Sequence, residues 1–458
     1  MKIWKIKGLI AYAWDERNMK LKTTIRVISL YIATLATASA VTLQEAVDVT
    51  IKTNPDVLAA SNERNAVSKE ILQARAGYLP TVDLALGTGS EWTDNTTTRA
   101  VSHKNVKLSR DEASLNLRQM LFDGMQTKNE VLRHTARTNS RAYGVFGAAE
   151  NTGLEAVDAY LEVLRRQKLV ELTTTNLEAH ERTHDQIKLR SERGVGRKAD
   201  MDQSQGRVAL ARANQISEQS NLRDAETTYL RVVGQAADSL SDPASPKSLL
   251  PNTLDEAISL GIDNHPTLKS ANADVDSANA QHDTALAVFY PRVDFELGTT
   301  ANNDLDGVEG HNNDVTAMVR LRYNLLNGGK DKARREETAY LINQAEEIRN
   351  NTYRQVEQSV RLSWNALETV VNQMSFFQLH VDSSERSRDA YQQQFSLGQR
   401  TLLDLLDSEN EVFVARQALV NAQYDEMFAL YRVLNSTGSL LQSLQVVLPE
   451  SSATIANN

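Results

Sequence analysis

The chain has 458 residues, no cysteine and a formal net charge of −9 at neutral pH. The lack of cysteine excludes disulfide bonds, thiolate metal sites, cysteine nucleophiles and a lipidated N-terminal cysteine. The acidic balance argues against a nucleic-acid partner, because no basic patch is present to neutralise phosphates. A mean hydropathy of −0.43 is typical of soluble proteins, although β-barrels hide their lipid-facing side from such averages.

The N-terminus has the pattern of an export signal. Basic residues precede an apolar stretch at 27–38, and small residues at 38–40 form a cleavage site. The apolar stretch is too short to span a bilayer as a helix. We therefore expect residues 1–40 to be removed, with Met19 as an alternative start, and the mature chain to leave the cytoplasm beginning at Val41.

The mature sequence is a tandem repeat. The segment "TLQEAVDVTIKTNPDVLAA" at 42–60 returns as "TLDEAISLGIDNHPTLKSA" at 253–271, and further matches follow in the same order. Such extended self-similarity indicates a duplication. The predicted units are a first repeat at 41–237, a linker rich in Pro and Ser at 238–252, a second repeat at 253–440 and a C-terminal tail at 441–458.

Each repeat is predicted to contain, in order, a helix, two strands, a long helix, a turn and another helix. The first helix of each copy begins with capping-box spacing, Thr42 with Glu45 and Thr253 with Glu256. One proline interrupts each of these helices early, and a second proline ends it before a strand.

The strands are predicted from alternation of apolar and polar residues. They are expected at 81–92, 113–121, 292–299 and 313–326. Soluble sandwiches show the same alternation, so the period alone does not decide between a sandwich and a membrane barrel. A length of about 10 residues, aromatic residues at the helix–strand junctions and long polar loops at 93–110 and 300–313 favour the barrel.

Four strands cannot close a barrel, and an open sheet edge in lipid leaves backbone groups without partners. Two chains would give eight strands and a lumen filled by side chains, whereas three chains would give twelve strands and a water-filled pore. We favour three chains, because charged residues on the polar face need water. These residues are Asp83, Arg118, Asp294, Glu296, Arg320 and Arg322.

Long uninterrupted helices are predicted where proline is absent. The stretches are 127–193, 199–235, 330–397 and 402–440. At about 1.5 Å per residue, the first would be on the order of 100 Å long. Small residues at heptad spacing from Ala142 to Val163 and from Val412 to Val433 indicate close, supercoiled helix packing. The predicted fold class is mixed α and membrane β.

With these features the sequence resembles the TolC family of outer-membrane channels, the exit ducts of type I secretion and drug efflux. The resemblance extends from Val41 to about Leu444 and rests on the duplicated "TL.EA…NP" start, on "YLP" and "FYP" before the strands, on "DG" and "NGG" after them, and on 398–425. It implies a homotrimer, whose twelve-stranded outer-membrane β-barrel, with four strands per chain, continues as a twelve-helix periplasmic α-barrel. It also implies a periplasmic adaptor (membrane fusion protein) and an inner-membrane transporter of ABC type as partners.

The resemblance also assigns a periplasmic mouth. Asp404 and Asp407 match the acidic residues of its narrowest ring, and Arg400, Asp200 and Phe395 match a latch that holds it shut. Phe395 lacks the hydroxyl that some members supply there. Threefold symmetry would turn each Asp into a ring of three that attracts multivalent cations. Alternatively, both acids favour the helix dipole near a helix start and pair with Arg400.

Further residues complete this interpretation. The hairpin tips at Gly194, Val195, Gly398 and Gln399 match the region that docks the adaptor. A His180–His184 pair four residues apart has no further ligand, so we expect it on a solvated helix face and not at a metal site.

The predicted function is a passive export duct in the outer membrane that reaches into the periplasm. No catalytic constellation or cofactor motif is found, so an enzyme is not expected and no cofactor is assigned. Val41 in place of a lipidated cysteine, and the resemblance over 398–425, favour type I protein secretion. A small-molecule efflux channel and a soluble periplasmic coiled-coil adaptor are the alternatives.

Overall fold

The computed structural model describes residues 40–100 and 105–456. The predicted export signal up to residue 39 and the alternative start at Met19 lie outside the described residues. The elements of the first repeat are helices α1 (Leu43–Thr53) and α2 (Pro55–Ala76), strand β1 (Thr81–Thr93), helix α3 (Thr96–Ala100), strand β2 (Val106–Phe122) and helices α4 (Gln126–Glu192) and α5 (Lys198–Val233). The second repeat contains helices α6 (Leu254–Asn264) and α7 (Pro266–Leu286), strands β3 (Arg292–Asn303) and β4 (His311–Arg322) and helices α8 (Lys330–Ser396), α9 (Leu402–Ser436) and α10 (Leu440–Ser443).

Apart from α3 in the first copy and α10 in the second, the two copies have the same elements in the same order, which confirms the predicted duplication. Helices α4 and α8 each have 67 residues and are on the order of 100 Å long. Pro55 and Pro266 occupy the first positions of α2 and α7, where a missing N–H costs nothing. Over the described ranges, no helix is both long enough and apolar enough to cross a membrane.

The capping box is complete in the first copy and half formed in the second. The Thr42 hydroxyl accepts the Glu45 N–H, and the Glu45 carboxylate accepts the Thr42 N–H. Thr253 accepts the Glu256 N–H in the same way. The Glu256 carboxylate instead accepts the N–H of Asn252 at 2.9 Å, one residue earlier. The predicted reciprocal bond to Thr253 is therefore wrong, because Asn252 offers the carboxylate a competing donor.

The four strands form one antiparallel sheet in the order β1-β2-β3-β4. The predicted loops were too long, because β1 and β2 pair out to Thr93 and Val106, and β3 and β4 to Asn303 and His311. Backbone pairing continues there through polar residues, which do not alternate with apolar ones and were therefore predicted as loops. Strand β4 ends at Arg322, earlier than predicted, since its partner β3 begins only after a proline that lacks the donor N–H.

The predicted charged residues share one face of the sheet. They are Asp83, Arg118, Asp294, Glu296, Arg320 and Arg322. The Glu296 carboxylate lies 3.3 Å from Arg118 Nη2 and 2.8 Å from Arg320 Nε, and Asp294 Oδ2 lies 2.7 Å from Arg322 Nη1. Asp294 is completely buried by this network. The opposite face is apolar and exposed, with Val82, Leu84, Leu86, Val315, Val319 and Leu321.

Small residues form the seams between the long helices. Ala142, Val145, Ala149 and Ala156 of α4 are completely buried, which confirms the first predicted heptad seam. The second seam, on α9, is buried except at two half-buried positions. Helices α4 and α5 form one antiparallel hairpin and α8 and α9 form another, with α9 packed against α4.

A buried carboxylate holds the C-terminal segment to the first repeat. Glu150 of α4 is nearly fully buried, and its two carboxylate oxygens accept the backbone N–H groups of Leu440 and Leu441 at 3.2 and 3.1 Å. The side chain of Asn435 donates to the Glu150 carbonyl at 2.9 Å. Burial raises the pKa of Glu150 to about 7, although the hydrogen bonds from Leu441 and Leu440 act to lower it.

This raised pKa predicts a specific pH dependence of stability. Between the ordinary pKa of 4.5 and about 7 the folded chain binds more protons at Glu150 than the unfolded chain does. The free energy of unfolding should therefore fall as pH rises through this window, by up to about 3 kcal/mol. The variant Glu150→Gln cannot titrate, so thermal unfolding should show its stability rising relative to wild type from about pH 5 to about pH 8. Parallel pH curves for the two proteins would contradict this assignment.

Candidate functional site

The two hairpins end in identical turns. Gly194 and Gly398 each have φ of +75°, a conformation that glycine adopts without steric cost. The N–H groups of Val195 and Gln399 bond back to the last turns of α4 and α8, which is the Schellman pattern. Val195 is 81% exposed, and Gln399 is also exposed. The residues predicted to dock an adaptor therefore form two equivalent, accessible tips.

Asp404 completes a capping box at the start of α9. The Thr401 hydroxyl accepts the Asp404 N–H at 3.3 Å, and Asp404 Oδ2 accepts the Thr401 N–H at 3.2 Å. The Thr401 hydroxyl also donates to Asp404 Oδ2 at 2.9 Å. This bond, followed by the one from the Thr401 N–H and by the charge of Arg400, lowers the pKa of Asp404, so it is ionised at neutral pH. Arg400 Nη1 lies 3.8 Å from Asp404 Oδ2. The alternative of a helix-start acid next to Arg400 thus describes Asp404 correctly.

Asp407 has a different partner. Its Oδ1 lies 2.6 Å from Nη2 of Arg207, which belongs to α5 in the first hairpin. The alternative that paired both acids with Arg400 is therefore wrong for Asp407. Arg207 is 200 positions away in the sequence, and no local pattern around it indicates this contact.

The predicted latch residues lie at the same end of the hairpins. The Arg400 guanidinium stacks over the Tyr391 ring at 4.2 Å, and its Nε donates to Gln394 at 3.0 Å. Asp200 is half-buried in the first turn of α5. In the part of the protomer that the structure describes, no hydrogen bond or ion pair joins Arg400 to Asp200. A latch between these two residues stays a prediction.

Phe395 belongs to a small apolar cluster that joins all four hairpin helices. It packs with Ile187 of α4, Met201 of α5 and Leu402 and Leu406 of α9. The guanidinium of an α4 arginine lies over its ring at 5.4 Å. The ring of Phe395 thus stabilises the hairpin ends by apolar packing, without the hydroxyl that some family members carry at this position.

The histidine pair does not lie on a solvated face, contrary to the sequence prediction. His180 is only 5% exposed, because α5 covers this part of α4. Burial, and secondly the charge of Arg207, lower the pKa of His180 and keep it neutral. His184 Nδ1 lies 2.9 Å from the hydroxyl of Ser204 on α5. Within residues 40–100 and 105–456, no cluster of His, Cys, Asp or Glu is placed to hold a metal ion.

A family model for outer membrane efflux proteins matches residues 46–235 and 257–439, which is more than half of the chain. The chain belongs to the outer membrane efflux protein family. The two matched stretches coincide with the two copies of the repeat and leave the linker between them unmatched. This TolC-family chain is an outer-membrane channel of tripartite export systems that extends into the periplasm, and it is not an enzyme. The soluble-adaptor alternative is thereby contradicted.

Several related proteins align with most of the chain. The outer membrane efflux protein BepC of Brucella suis biovar 1 is 25% identical over 327 residues, 71% of this chain and 72% of that protein. The outer membrane protein TolC of Escherichia coli strain K12 is 24% identical over 406 residues, 84% of this chain and 80% of TolC. The alkaline protease secretion protein AprF of Pseudomonas aeruginosa is 24% identical over 414 residues, 88% of this chain and 85% of AprF.

The same fold is found among solved structures. A membrane protein from Pseudomonas aeruginosa superposes with a TM-score of 0.76 at 18% identity, and the match covers 86% of this chain and 92% of that chain. At this identity the likeness concerns the fold, and it confirms the combination of a four-stranded sheet with long helical hairpins.

Proposed function

We propose that this outer-membrane channel is the homotrimeric duct of a type I protein secretion system. An ABC-type inner-membrane transporter would supply energy and cargo, and a periplasmic adaptor would connect the transporter to the duct. The similarity to AprF, a protease secretion protein, supports the secretion branch. BepC, which is named an efflux protein, is equally similar, so small-molecule efflux remains the second candidate.

The observation that supports a trimer is the sheet with two free edges. Strands β1 and β4 each pair on one side only within the described residues, so further copies of the chain would have to supply the missing neighbours. Two copies would close an eight-stranded barrel, whose narrow interior leaves no room for solvent. The ion network around Glu296 lies on the polar face and needs water, which a twelve-stranded ring of three chains provides.

The mouth of the duct is proposed at the hairpin tips. In a trimer, Asp404 and Asp407 would form two rings of three carboxylates about one helical turn apart. Both side chains are partly exposed in the protomer, where Asp407 is paired with Arg207 and Asp404 lies next to Arg400. Arg400, Asp200 and Phe395 would hold neighbouring hairpins together, and the tips around Gly194 and Gly398 would receive the adaptor.

The cargo is tested with a deletion strain. Loss of the gene should remove at least one large protein from the culture medium, measured by mass spectrometry of the supernatant, and its return should restore export. Susceptibility to dyes and detergents should change little. The opposite result, an unchanged set of secreted proteins with increased susceptibility, would assign the channel to small-molecule efflux.

The rings are tested by cation block in planar bilayers. The double variant Asp404→Asn with Asp407→Asn removes six negative charges from a trimer, so block by multivalent cations should weaken by roughly tenfold or more. Asp202→Asn, which removes three charges from a trimer, is a control, because Asp202 is an exposed acid near the first hairpin tip. Unchanged block in the double variant, or equal weakening in the control, would show that the rings are assigned wrongly.

A further inference from the structure

Four arginines gather around two carboxylates on the polar face of the sheet, at the end that continues into the helices. The members of this arginine cluster are Arg118, Arg292, Arg320 and Arg322. Glu296 contacts three of the guanidinium groups, and Asp294 contacts two, one of which is shared with Glu296. The arginines of the cluster therefore outnumber the carboxylates that they contact.

The carboxylates of the cluster are hidden, whereas the guanidinium groups are accessible. Asp294 is completely buried and the Glu296 side chain is 21% exposed, while the four arginine side chains are between 42% and 51% exposed. Each guanidinium carries five N–H donors, and two carboxylates offer too few acceptor positions for all of them. N–H donors are therefore left over for an acceptor that enters from outside.

A cavity of about 450 Å³ adjoins the cluster. Its charged lining residues are Arg118, Arg320, Arg322, Asp83 and Glu296. The side chains of Thr81, Asn116 and Thr316 also line it and add uncharged hydrogen-bond donors. With three arginines against two acids, the lining carries one positive charge in excess per chain, and its accessible donors suit an anion.

The opposite balance of charge is found on the same face nearer the loops. Arg110 lies eight residues before Arg118 on β2, so both side chains project from one face of the strand. The guanidinium of Arg110 contacts Glu91 at 2.8 Å and also Glu112, so here one arginine faces two carboxylates. The excess of arginine thus belongs to the helix end of the sheet and is not a general property of its polar face.

We propose that the arginine cluster is an oxyanion-binding site, which takes small multivalent anions such as inorganic phosphates. Guanidinium groups bind such anions through pairs of parallel N–H···O bonds. The cluster lies within one chain, whereas its position inside a pore rests on the proposed closure of the barrel by three chains. Three copies would then surround the pore at the end far from Asp404 and Asp407.

The test is a calorimetric titration of the full-length protein in detergent with inorganic pyrophosphate. Wild type should bind one pyrophosphate per chain. The double variant Arg118→Gln with Arg320→Gln removes two of the three lining arginines, so binding should weaken by roughly tenfold or more. Arg322 still contacts both acids in this variant, so neither carboxylate loses its last partner.

Single variants test the sign and the place of the effect. Asp83→Asn removes an opposing charge from the cavity lining, so the affinity for pyrophosphate should rise by roughly threefold. Arg320→Gln should lower it by roughly threefold for the opposite reason. Arg110→Gln is the matched control, because it removes one arginine from the same face outside the cavity, and its affinity should equal that of wild type.

Three results would overturn the site: no binding to wild type, unchanged affinity in the double variant, or equal losses in Arg110→Gln and Arg320→Gln. If the double variant fails to assemble, the single variants decide. The outcome is separable from that of the proposed duct. A chain that is monomeric in detergent would refute the duct while still allowing pyrophosphate to bind, whereas a trimeric, conducting channel without pyrophosphate binding would refute this inference alone.

Discussion

The structure depends on one constraint, the need of every backbone N–H and C=O group in a membrane to find a partner. In the four-stranded antiparallel sheet, the backbone groups between adjacent strands pair with one another. One side of β1 and one side of β4 stay unpaired within the described protomer. In water such edges would bind solvent, and in lipid each unpaired group would cost several kcal/mol. The apolar outer face, with Leu84 and Val319 exposed, suits lipid, and the proposed pairing with further copies of the chain would close the edges.

The helices continue the same arrangement beyond the membrane. A gap of only a few residues separates each strand from its helix, so the positions of the strands fix where α4 and α8 begin. Small residues at heptad spacing, from Ala142 to Val163 of α4 and from Val412 to Val433 of α9, then let these helices approach their neighbours closely. Larger side chains in the seam would push the helices apart. Each hairpin therefore places its tip at a defined position far from the sheet.

The features that depend on neighbouring residues were predictable from the sequence. Prolines located the breaks at Pro55 and Pro266, where the structure begins a second helix in each copy, and alternation located the strands. Both signals arise within a few residues. The strand ends were less accurate, because backbone pairing continues through polar residues once a register is set. The reciprocal half of the second capping box failed because a competing donor at Asn252 cannot be recognised from spacing.

The contacts of the candidate site also fall into local ones, which the sequence can predict, and long-range ones, which it cannot. The capping role of Asp404 follows from Thr401 three residues earlier, a local pattern. The partnership of Asp407 with Arg207 joins positions in different repeats, and only the packing of the two hairpins brings them together. The burial of His180 likewise depends on α5 covering α4, so periodicity on α4 alone could not reveal it. Long-range pairs of this kind require the three-dimensional structure.

The most direct measurement of the central claim is the molecular mass of the mature protein extracted from membranes. The protein should be extracted from membranes only by detergent. Light scattering, corrected for bound detergent, should then give a particle with about three times the mass of one chain. This result is expected because three four-stranded sheets close the barrel and leave no free edge. A monomer that stays soluble in water after removal of the export signal would contradict the account.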